Sequence, residues 1–292
     1  MLTWAAVVAV FLLMSIGNVV SATGSGLACP DWPLCHGSLI PPLRPDVLIE
    51  YSHRLVAALA SVLIVATIVM AIRRSGQPAI RRMGWTLLVL LGAQIGLGGI
   101  TVLLKLPTLI STAHLVNALL IFGGLLVLAA SERGPATPAA VIASLARAGL
   151  GALLVQLALG GYVRHSGAGL ACPDFPLCSG AVLPGHWLAF AHWTHRWLGV
   201  LLLGLFIHLG MAGRGTPLAR ATSAAAVLAA VQVGLGIATV LLRLDPPIRA
   251  AHAAVGYALW GAVVWTAARS GAMSLLNAPR RSAERVGEAR LA

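Results

Sequence analysis

Charged residues are scarce in this sequence: only 10% of its 292 residues are Asp, Glu, Lys or Arg, whereas 59% are hydrophobic. A soluble domain of this size needs far more charged surface, so the composition excludes that class. Apolar runs such as Leu55–Ile72, Trp85–Leu104 and Leu198–Met211 approach the ~20 residues that cross ~30 Å of hydrocarbon. Lipid offers a backbone no hydrogen-bond partners, so each run is predicted to be a helix.

The hydropathy pattern predicts an all-α integral membrane protein with eight transmembrane helices, near residues 3–22, 50–72, 84–104, 109–131, 141–163, 187–212, 221–242 and 248–269. Basic residues are concentrated in alternate connections and after the last span. The positive-inside rule therefore places both termini in the cytoplasm and the odd-numbered connections outside the plasma membrane. The net charge of +12 would suggest nucleic acid in a soluble protein. Here it lies at helix ends and in the tail, so no nucleic-acid partner is predicted.

The first apolar run lacks a preceding charged segment, which argues against a cleaved signal peptide, although Val20-Ser21-Ala22 resembles a cleavage site. The run also has a counterpart later in the chain. We therefore expect it to be retained as the first span.

An internal duplication organises the chain. The segment Gly26–Cys35 recurs as Gly169–Cys178, 143 residues later, and three further motifs recur at offsets of 142 or 138: Ser52-His53-Arg54 as Thr194-His195-Arg196, Gln94 as Gln232, and His114 as His252. Each half holds four spans, and an even number preserves orientation. We therefore predict two tandem, pseudo-symmetric four-helix bundles at 1–134 and 139–272 and a cytoplasmic tail at 273–292, divided at the Pro/Gly-rich link Ser131–Pro138.

Four of the nine histidines are repeated: His53, His114, His195 and His252. Each is predicted near the outer end of an even-numbered span, so all four lie at a similar depth. Two histidines on different helices of one bundle can supply both axial ligands of a haem. The alternative is a histidine that bonds a neighbouring carbonyl. No carboxylate or thiolate cluster accompanies them, which disfavours zinc or copper. His36, His165 and His186 lie in or beside the predicted outer loops and are expected to be solvated or capping. His208 lies near the inner end of its span, where no other histidine can pair with it, so no third haem is predicted there.

The halves differ three residues before the first histidine of each pair, where Glu50 corresponds to His192. We expect Glu50 to act as an acid or base in proton-coupled chemistry, or alternatively to cap the start of the second span. Arg54 and Arg196 follow the candidate ligands, and each can contact a haem propionate or extend to the membrane interface. Gln94 and Gln232 can bond another helix or a ligand.

All the cysteines lie in the two predicted outer loops, as Cys29, Cys35, Cys172 and Cys178. The outer compartment is oxidising and two prolines stiffen each loop, so we expect the local disulfides Cys29–Cys35 and Cys172–Cys178. A structural role is favoured. Electron relay or thiol exchange beside the first haem is the alternative.

These features together resemble the haem A synthase family. The resemblance rests on the run from Thr23 to Gly37, the segment Glu50–Arg54, His114, the second cysteine loop, the segment His192–Arg196 and His252. It covers nearly the whole chain. It implies eight spans in two bundles and conversion of haem O to haem A, for terminal cytochrome oxidases, by oxidation of a ring methyl group to a formyl group.

The resemblance also implies roles for individual residues. His53 and His114 would flank the substrate haem O, Glu50 would act in the oxidation, and His195 and His252 would ligate a resident haem b. Cys29 and Cys35 would be the functionally more important cysteine pair. An electron donor and a haem O synthase (protohaem farnesyltransferase) are the implied protein partners. The sequence departs at Ser21, where the family usually has an arginine that the second half retains as Arg164.

Two other functions use the same residues. A di-haem electron carrier of the cytochrome b type would have the same ligands, but it would need ligands near the inner surface to carry electrons across the membrane. A transporter or a disulfide-exchange partner would bind no haem. The contrast between Glu50 and His192 favours the enzyme.

Overall fold

The structure is a computed structural model that describes residues 1–134 and 137–273. These residues form eight α-helices, one short 3₁₀ turn and no strand: α1 Leu2–Ala22, α2 Pro45–Arg74, α3 Pro78–Leu103, α4 Thr108–Ser131, α5 Ala140–His165, α6 Trp187–Ala212, α7 Ala219–Leu241 and α8 Pro246–Arg269. The all-helical prediction is confirmed. Apart from residue 273, the predicted tail lies outside the described residues, as do residues 135 and 136 of the predicted link.

Among the described helices, α1 to α7 are long and apolar enough to cross a membrane, so the chain is a multi-pass membrane protein. Helix α8 has 24 residues but is not among these seven, and its sequence includes Arg249, His252 and two glycines. Its side chains Tyr257, Trp260 and Val263 are buried among other helices. A helix covered by protein does not need the lipid-facing apolar surface that helices such as α2 and α3 present.

Two helices begin earlier than the hydropathy pattern predicts. Helix α2 begins at Pro45 rather than near residue 50, and α3 begins at Pro78 rather than near residue 84. Proline suits the first turn of a helix, because its fixed φ is helical and the N–H it lacks would have no partner there. Glu50 consequently lies in the second turn of α2, not at its start.

The helices of each half pack in the same order. In the first half (α1–α4), α1 and α3 each contact both α2 and α4; in the second half (α5–α8), α5 and α7 each contact both α6 and α8. The halves meet where α1 and α4 lie against α5 and α8. At this contact the Trp260 indole of α8 donates to the Leu119 carbonyl of α4 at 2.9 Å, and its ring lies against Gly123.

Candidate functional site

The repeated histidines occupy equivalent positions in the even-numbered helices. His53 and His195 are the ninth residues of α2 and α6, and His114 and His252 are the seventh residues of α4 and α8. Each half therefore places one imidazole on each of two helices that are not neighbours in the packing order. The sequence predicts this pairing, because the offsets of 142 and 138 residues preserve it.

In the second half the two imidazoles lie close together. The ring centres of His195 and His252 are 6.5 Å apart, and the ring planes are inclined at 84°. Two imidazoles that bind one metal from opposite sides, through bonds of about 2 Å, have ring centres about 6 Å apart. The second pair thus has the separation that a shared iron requires.

A glycine of a neighbouring helix lies against each of the four rings. A Cβ atom added to the glycine would lie 2.7–3.3 Å from the Cε1 atom of the histidine, in the pairs Gly17–His53, Gly98–His114, Gly160–His195 and Gly236–His252. The close approach of helices would by itself account for Gly98 and Gly236, whereas the contacts of Gly17 and Gly160 with the rings were not predicted. The offset of 143 residues that separates Gly17 from Gly160 was the available signal.

All four rings keep a nitrogen that has no protein partner. The Nδ1 atoms of His53, His114, His195 and His252 are buried without a hydrogen bond to any described residue. A buried polar atom without a partner is costly, and such atoms in native structures call for a ligand or a water. Neutral imidazole nitrogens are good ligands for haem iron. The residues present therefore fit one haem in each half.

Other metals fit these residues less well. Within residues 1–134 and 137–273, no three or more His, Cys, Asp or Glu side chains are grouped as a metal site. Zinc sites normally use three or four such ligands. A metal that brings its own equatorial ligands, as haem iron does, needs only the two imidazoles.

Glu50 is buried and connects α2 to the first cysteine loop. Its Oε1 atom accepts from the Arg54 guanidinium at 2.5 Å, and its Oε2 atom accepts from the backbone N–H of Cys29 at 2.8 Å. Its side chain is 4% exposed. The alternative role as a cap for the second span is not what is observed, since the carboxylate bonds the loop. Its role as an acid or base stays a prediction.

Arg54 and Arg196 hold the loops that contain the disulfides. Arg54 donates to the carbonyls of Asp31, Leu34 and Cys29 at 2.6–3.0 Å. Arg196 makes the equivalent bonds to the carbonyls of the second loop, at Asp174, Leu177 and Cys172. The predicted propionate contacts of both arginines stay predictions. The sequence does not reveal the observed contacts, because backbone acceptors leave no signature in it.

His192 takes the place of Glu50 in the second half. Its Nδ1 atom lies 3.4 Å from the backbone N of Cys172, and its Nε2 atom lies 3.2 Å from Nε of Arg196. A neutral imidazole accepts at only one of its two nitrogens. The two networks have the same topology, but only the first contains a carboxylate. The contrast predicted between Glu50 and His192 is therefore a contrast between an ion pair and a neutral acceptor.

The cysteines of each loop are within disulfide distance. The sulfurs of Cys29 and Cys35 are 1.98 Å apart and those of Cys172 and Cys178 are 1.96 Å apart, as the predicted local pairing requires. All four residues are buried. The sulfurs are therefore shielded from solvent in the closed loop.

An aspartate organises the turn in each of these loops. The Asp31 carboxylate accepts from the backbone N–H groups of His36 and Gly37, both at 2.7 Å. These two residues have positive φ. The bonds to Gly37 and His36 hold the pKa of Asp31 below its ordinary value. In the second loop, Asp174 is held in the same way by Gly180 and Ser179.

In each half, one glutamine contacts the second histidine of the pair. The Gln94 Nε2 atom lies 3.2 Å from Nε2 of His114, and the Gln232 Nε2 atom lies 3.4 Å from Nε2 of His252. Each glutamine therefore bonds a histidine of another helix, which is one of the two predicted alternatives; contact with a bound ligand stays a prediction. Asn117, which sequence analysis misses, donates to Gln94 Oε1 at 2.7 Å.

Of the remaining histidines, three are exposed and His165 is half-buried. His186 caps α6, where its Nδ1 accepts from the backbone N–H of Leu188 at 3.3 Å, so its predicted capping role is confirmed. His36 is exposed and bonds the Ala28 carbonyl at 2.9 Å through Nε2. His208 is exposed on α6, and His165 ends α5.

Arg164 lies beside the position where the sequence departs from the family pattern. Its Nε atom donates to the Ser21 hydroxyl at 2.8 Å, and its other nitrogens donate to Asn18. Ser21 and Arg164 are separated by the repeat offset of 143 residues. Equivalent residues of the two halves therefore bond each other, and Arg164 brings a cation to the end of α1.

Comparisons with known proteins agree with this site. The sequence profile of the family described as cytochrome oxidase assembly protein matches residues 1–264. The haem A synthase of Symbiobacterium thermophilum is 32% identical over 273 residues, which cover 87% of this chain and 89% of the relative. That of Bacillus licheniformis is 30% identical over 263 residues, covering 84% and 87%, and that of Shouchella clausii is 32% identical over 250 residues, covering 80% and 83%. The chain therefore belongs to the haem A synthase family of cytochrome oxidase assembly proteins.

Proposed function

We propose that this chain is a membrane haem A synthase that oxidises a ring methyl group of haem O to a formyl group, producing haem A for terminal cytochrome oxidases. Haem O binds between His53 and His114, and a resident haem b binds between His195 and His252. Family membership supports the reaction. The duplicated imidazole pairs, each pair enclosed by glycines, support the two haem sites.

We further propose that all eight helices cross the plasma membrane as two four-helix bundles, residues 1–134 and 139–272. Both termini and the tail from residue 273 then lie in the cytoplasm, and both disulfide loops lie outside. The alternation of basic connections supports this orientation. The same packing order in α1–α4 and α5–α8 supports the division into bundles.

The observation that carries the proposal is the separation of His195 and His252. Ring centres 6.5 Å apart, with both Nδ1 atoms buried and without a protein partner, are consistent with two residues that would together hold one haem iron. Resident haem b, when bound, supplies a one-electron redox centre beside the substrate half. The protein supplies the ligands, a closed apolar surrounding and the carboxylate of Glu50.

We assign to Glu50 the role of accepting a proton released during oxidation of the methyl group. Each carboxylate oxygen already accepts one hydrogen bond, from Arg54 or from Cys29, and each has a second lone pair available. The equivalent His192 contacts the corresponding arginine and cysteine but adds no negative charge.

The disulfides are assigned a structural role. Each closes a turn whose carbonyls bind an arginine of α2 or α6. Cys29 also donates its backbone N–H to Glu50, so the first loop holds the proposed acid or base in place. A redox role for Cys29 and Cys35 is the alternative, and replacement of both by serine tests it. Loss of haem A formation with both haems retained and Glu50 still functional would favour the redox role.

The proposed function is tested by producing the protein together with a haem O synthase and separating the extracted haems by chromatography. The wild type is expected to yield haem A and haem b. A Glu50→Gln variant is expected to keep both haem sites and to accumulate haem O. The matched His192→Gln variant is expected to produce haem A. Haem b alone from the wild type would indicate an electron carrier, and absence of any haem would indicate a transporter or a disulfide-exchange partner.

A further inference from the structure

The two halves differ in the polar residues that are connected by hydrogen bonds to the second histidine of each pair. In the first half, Asn117 donates from Nδ2 to the Leu90 carbonyl at 2.9 Å and to Gln94 Oε1 at 2.7 Å. Gln94 Nε2 lies 3.2 Å from His114 Nε2. At the position equivalent to Asn117, 138 residues later, the second half has Val255.

The direction of this chain of hydrogen bonds is fixed by the Leu90 carbonyl. A carbonyl only accepts, so the Asn117 amide must turn its NH₂ group towards it. The same NH₂ group then meets Gln94, which must present Oε1. Gln94 consequently presents its own NH₂ group to His114, and the His114 Nε2 atom is the acceptor.

A neutral imidazole that accepts at Nε2 carries its proton on Nδ1. One of its two nitrogens is then protonated, and the lone pair of the other is bonded to Gln94. Neither nitrogen offers a free lone pair to a metal. Iron ligation by His114 therefore has to compete with the Gln94 hydrogen bond, and Asn117 holds Gln94 in the competing orientation.

The second half lacks this constraint. Gln232 Oε1 is buried without a partner among the described residues, and Val255 has no group to fix it. The Gln232 amide can turn so that Oε1 accepts from the N–H of His252. An acceptor on one imidazole nitrogen makes the other nitrogen a stronger metal ligand.

We propose that Asn117 and Gln94 are positioning residues that weaken His114 as a haem ligand, so that the first half releases its haem, whereas Gln232 strengthens His252 and retains the haem of the second half. This inference rests on the proposed function, because an enzyme must release its product but keep its cofactor. It assigns the difference between substrate and cofactor sites to one residue pair, Asn117 and Val255.

The test is a reciprocal exchange, Asn117→Val and Val255→Asn, in the full-length protein purified with both haems. Transfer of each haem to excess apomyoglobin gives its release rate, and chromatography distinguishes haem O and haem A from haem b. Partners of metal-bound histidines change metal affinity by about 10–100-fold. We expect Asn117→Val to slow release of haem O and haem A at least about tenfold and Val255→Asn to accelerate release of haem b by a similar factor.

A spectroscopic readout separates positioning from a merely structural role. Asn117→Val and Gln94→Leu are both expected to increase the six-coordinate, low-spin fraction of the first haem. Loss of a structural contact would instead lower that fraction. If either variant fails to accumulate, Val255→Asn decides alone, because it adds the proposed constraint without removing a native bond.

The possible outcomes are distinct. Release rates within twofold of the wild type for either exchange, in a protein that still makes haem A, overturn the inference and leave the proposed function intact. Faster haem O release from Asn117→Val also overturns it. A wild-type protein that binds no haem overturns the proposed function itself.

Discussion

Glu50 and Arg54 form a buried ion pair, 2.5 Å between Oε1 and the guanidinium, one turn apart on α2. The same arginine binds three carbonyls of the first disulfide loop, and the same glutamate binds its Cys29 N–H. The pair therefore fixes both the loop and the carboxylate. In the second half the equivalent contact, between Arg196 and His192, contains one charge instead of two.

This difference predicts unequal costs for removing the two arginines. Arg54→Ala leaves the buried Glu50 carboxylate without its cation, and breaking a buried ion pair in this way costs about 3–5 kcal/mol. Arg196→Ala leaves only neutral acceptors, so a smaller loss of stability is expected. Thermal unfolding in detergent measures both. The excess cost of Arg54→Ala should disappear in a Glu50→Gln background, and its persistence there would contradict the ion-pair explanation.

Because a glycine lies against each histidine ring, we predict that replacing one such glycine by alanine removes haem from that half only. A Cβ atom at position 160 would lie 2.7 Å from the His195 ring, so Gly160→Ala must displace the imidazole. We expect the haem b content to fall by more than half while haem O still binds. Gly151→Ala on the same helix is the control, because nothing lies within 4 Å of an added Cβ there. Equal haem b loss in the two variants would show that the ring contact does not matter.

In the first loop, the large side chain of Trp32 packs against Gly99 of α3, where a larger residue would not fit. A Cβ atom on Gly99 would lie 3.1 Å from the Trp32 ring, whereas the equivalent residues of the second half are Ile237 and Phe175. Gly99→Ile is expected to displace the loop and to speed reduction of Cys29–Cys35.

Adding Trp32→Phe should restore part of the protection, because contacting residues couple by about 0.5–3 kcal/mol. Reduction kinetics of the single and double variants measure this coupling. Additive effects of the two substitutions would contradict direct packing between Trp32 and Gly99.

The turn held by Asp31 predicts a pH dependence of loop stability. Its pKa is lower in the folded protein, chiefly because Gly37 and His36 donate to the carboxylate. The stabilisation is therefore complete above the unfolded pKa of about 3.9 and is lost as the pH falls through the folded-state pKa.

Reduction of Cys29–Cys35 by a phosphine should accelerate as the pH is lowered from neutral to about 3. In Asp31→Asn this acceleration should be absent, with fast reduction at every pH. A wild-type rate that does not change over this range would exclude the role of the carboxylate.

The sequence predicts the helices because they are long apolar runs, and it predicts the histidine pairs because they recur in the internal repeat. It places the start of α2 too late, since a hydropathy window does not register that Pro45 can begin a helix. It also treats α8 like the other spans, although burial by its neighbours relaxes the requirement for apolar residues.

Long-range contacts to the backbone are invisible in the sequence. The bonds from Arg54 to the loop carbonyls depend on how the loop folds back on α2. Asn117 escapes notice for another reason, because it has no counterpart in the second half and a repeat search does not detect it. Gly17 and Gly160, in contrast, are separated by the repeat offset, so the repeat could have predicted them.

The central claim is that each half of the chain holds one haem between two imidazoles. Its most direct test is the haem content of the purified protein, compared with that of His53→Ala, His114→Ala, His195→Ala and His252→Ala. We predict two haems per chain in the wild type, loss of haem O or haem A alone from the first two variants, and loss of haem b alone from the last two. Loss of the same haem from His53→Ala and His195→Ala, or no haem in the wild type, would contradict the account.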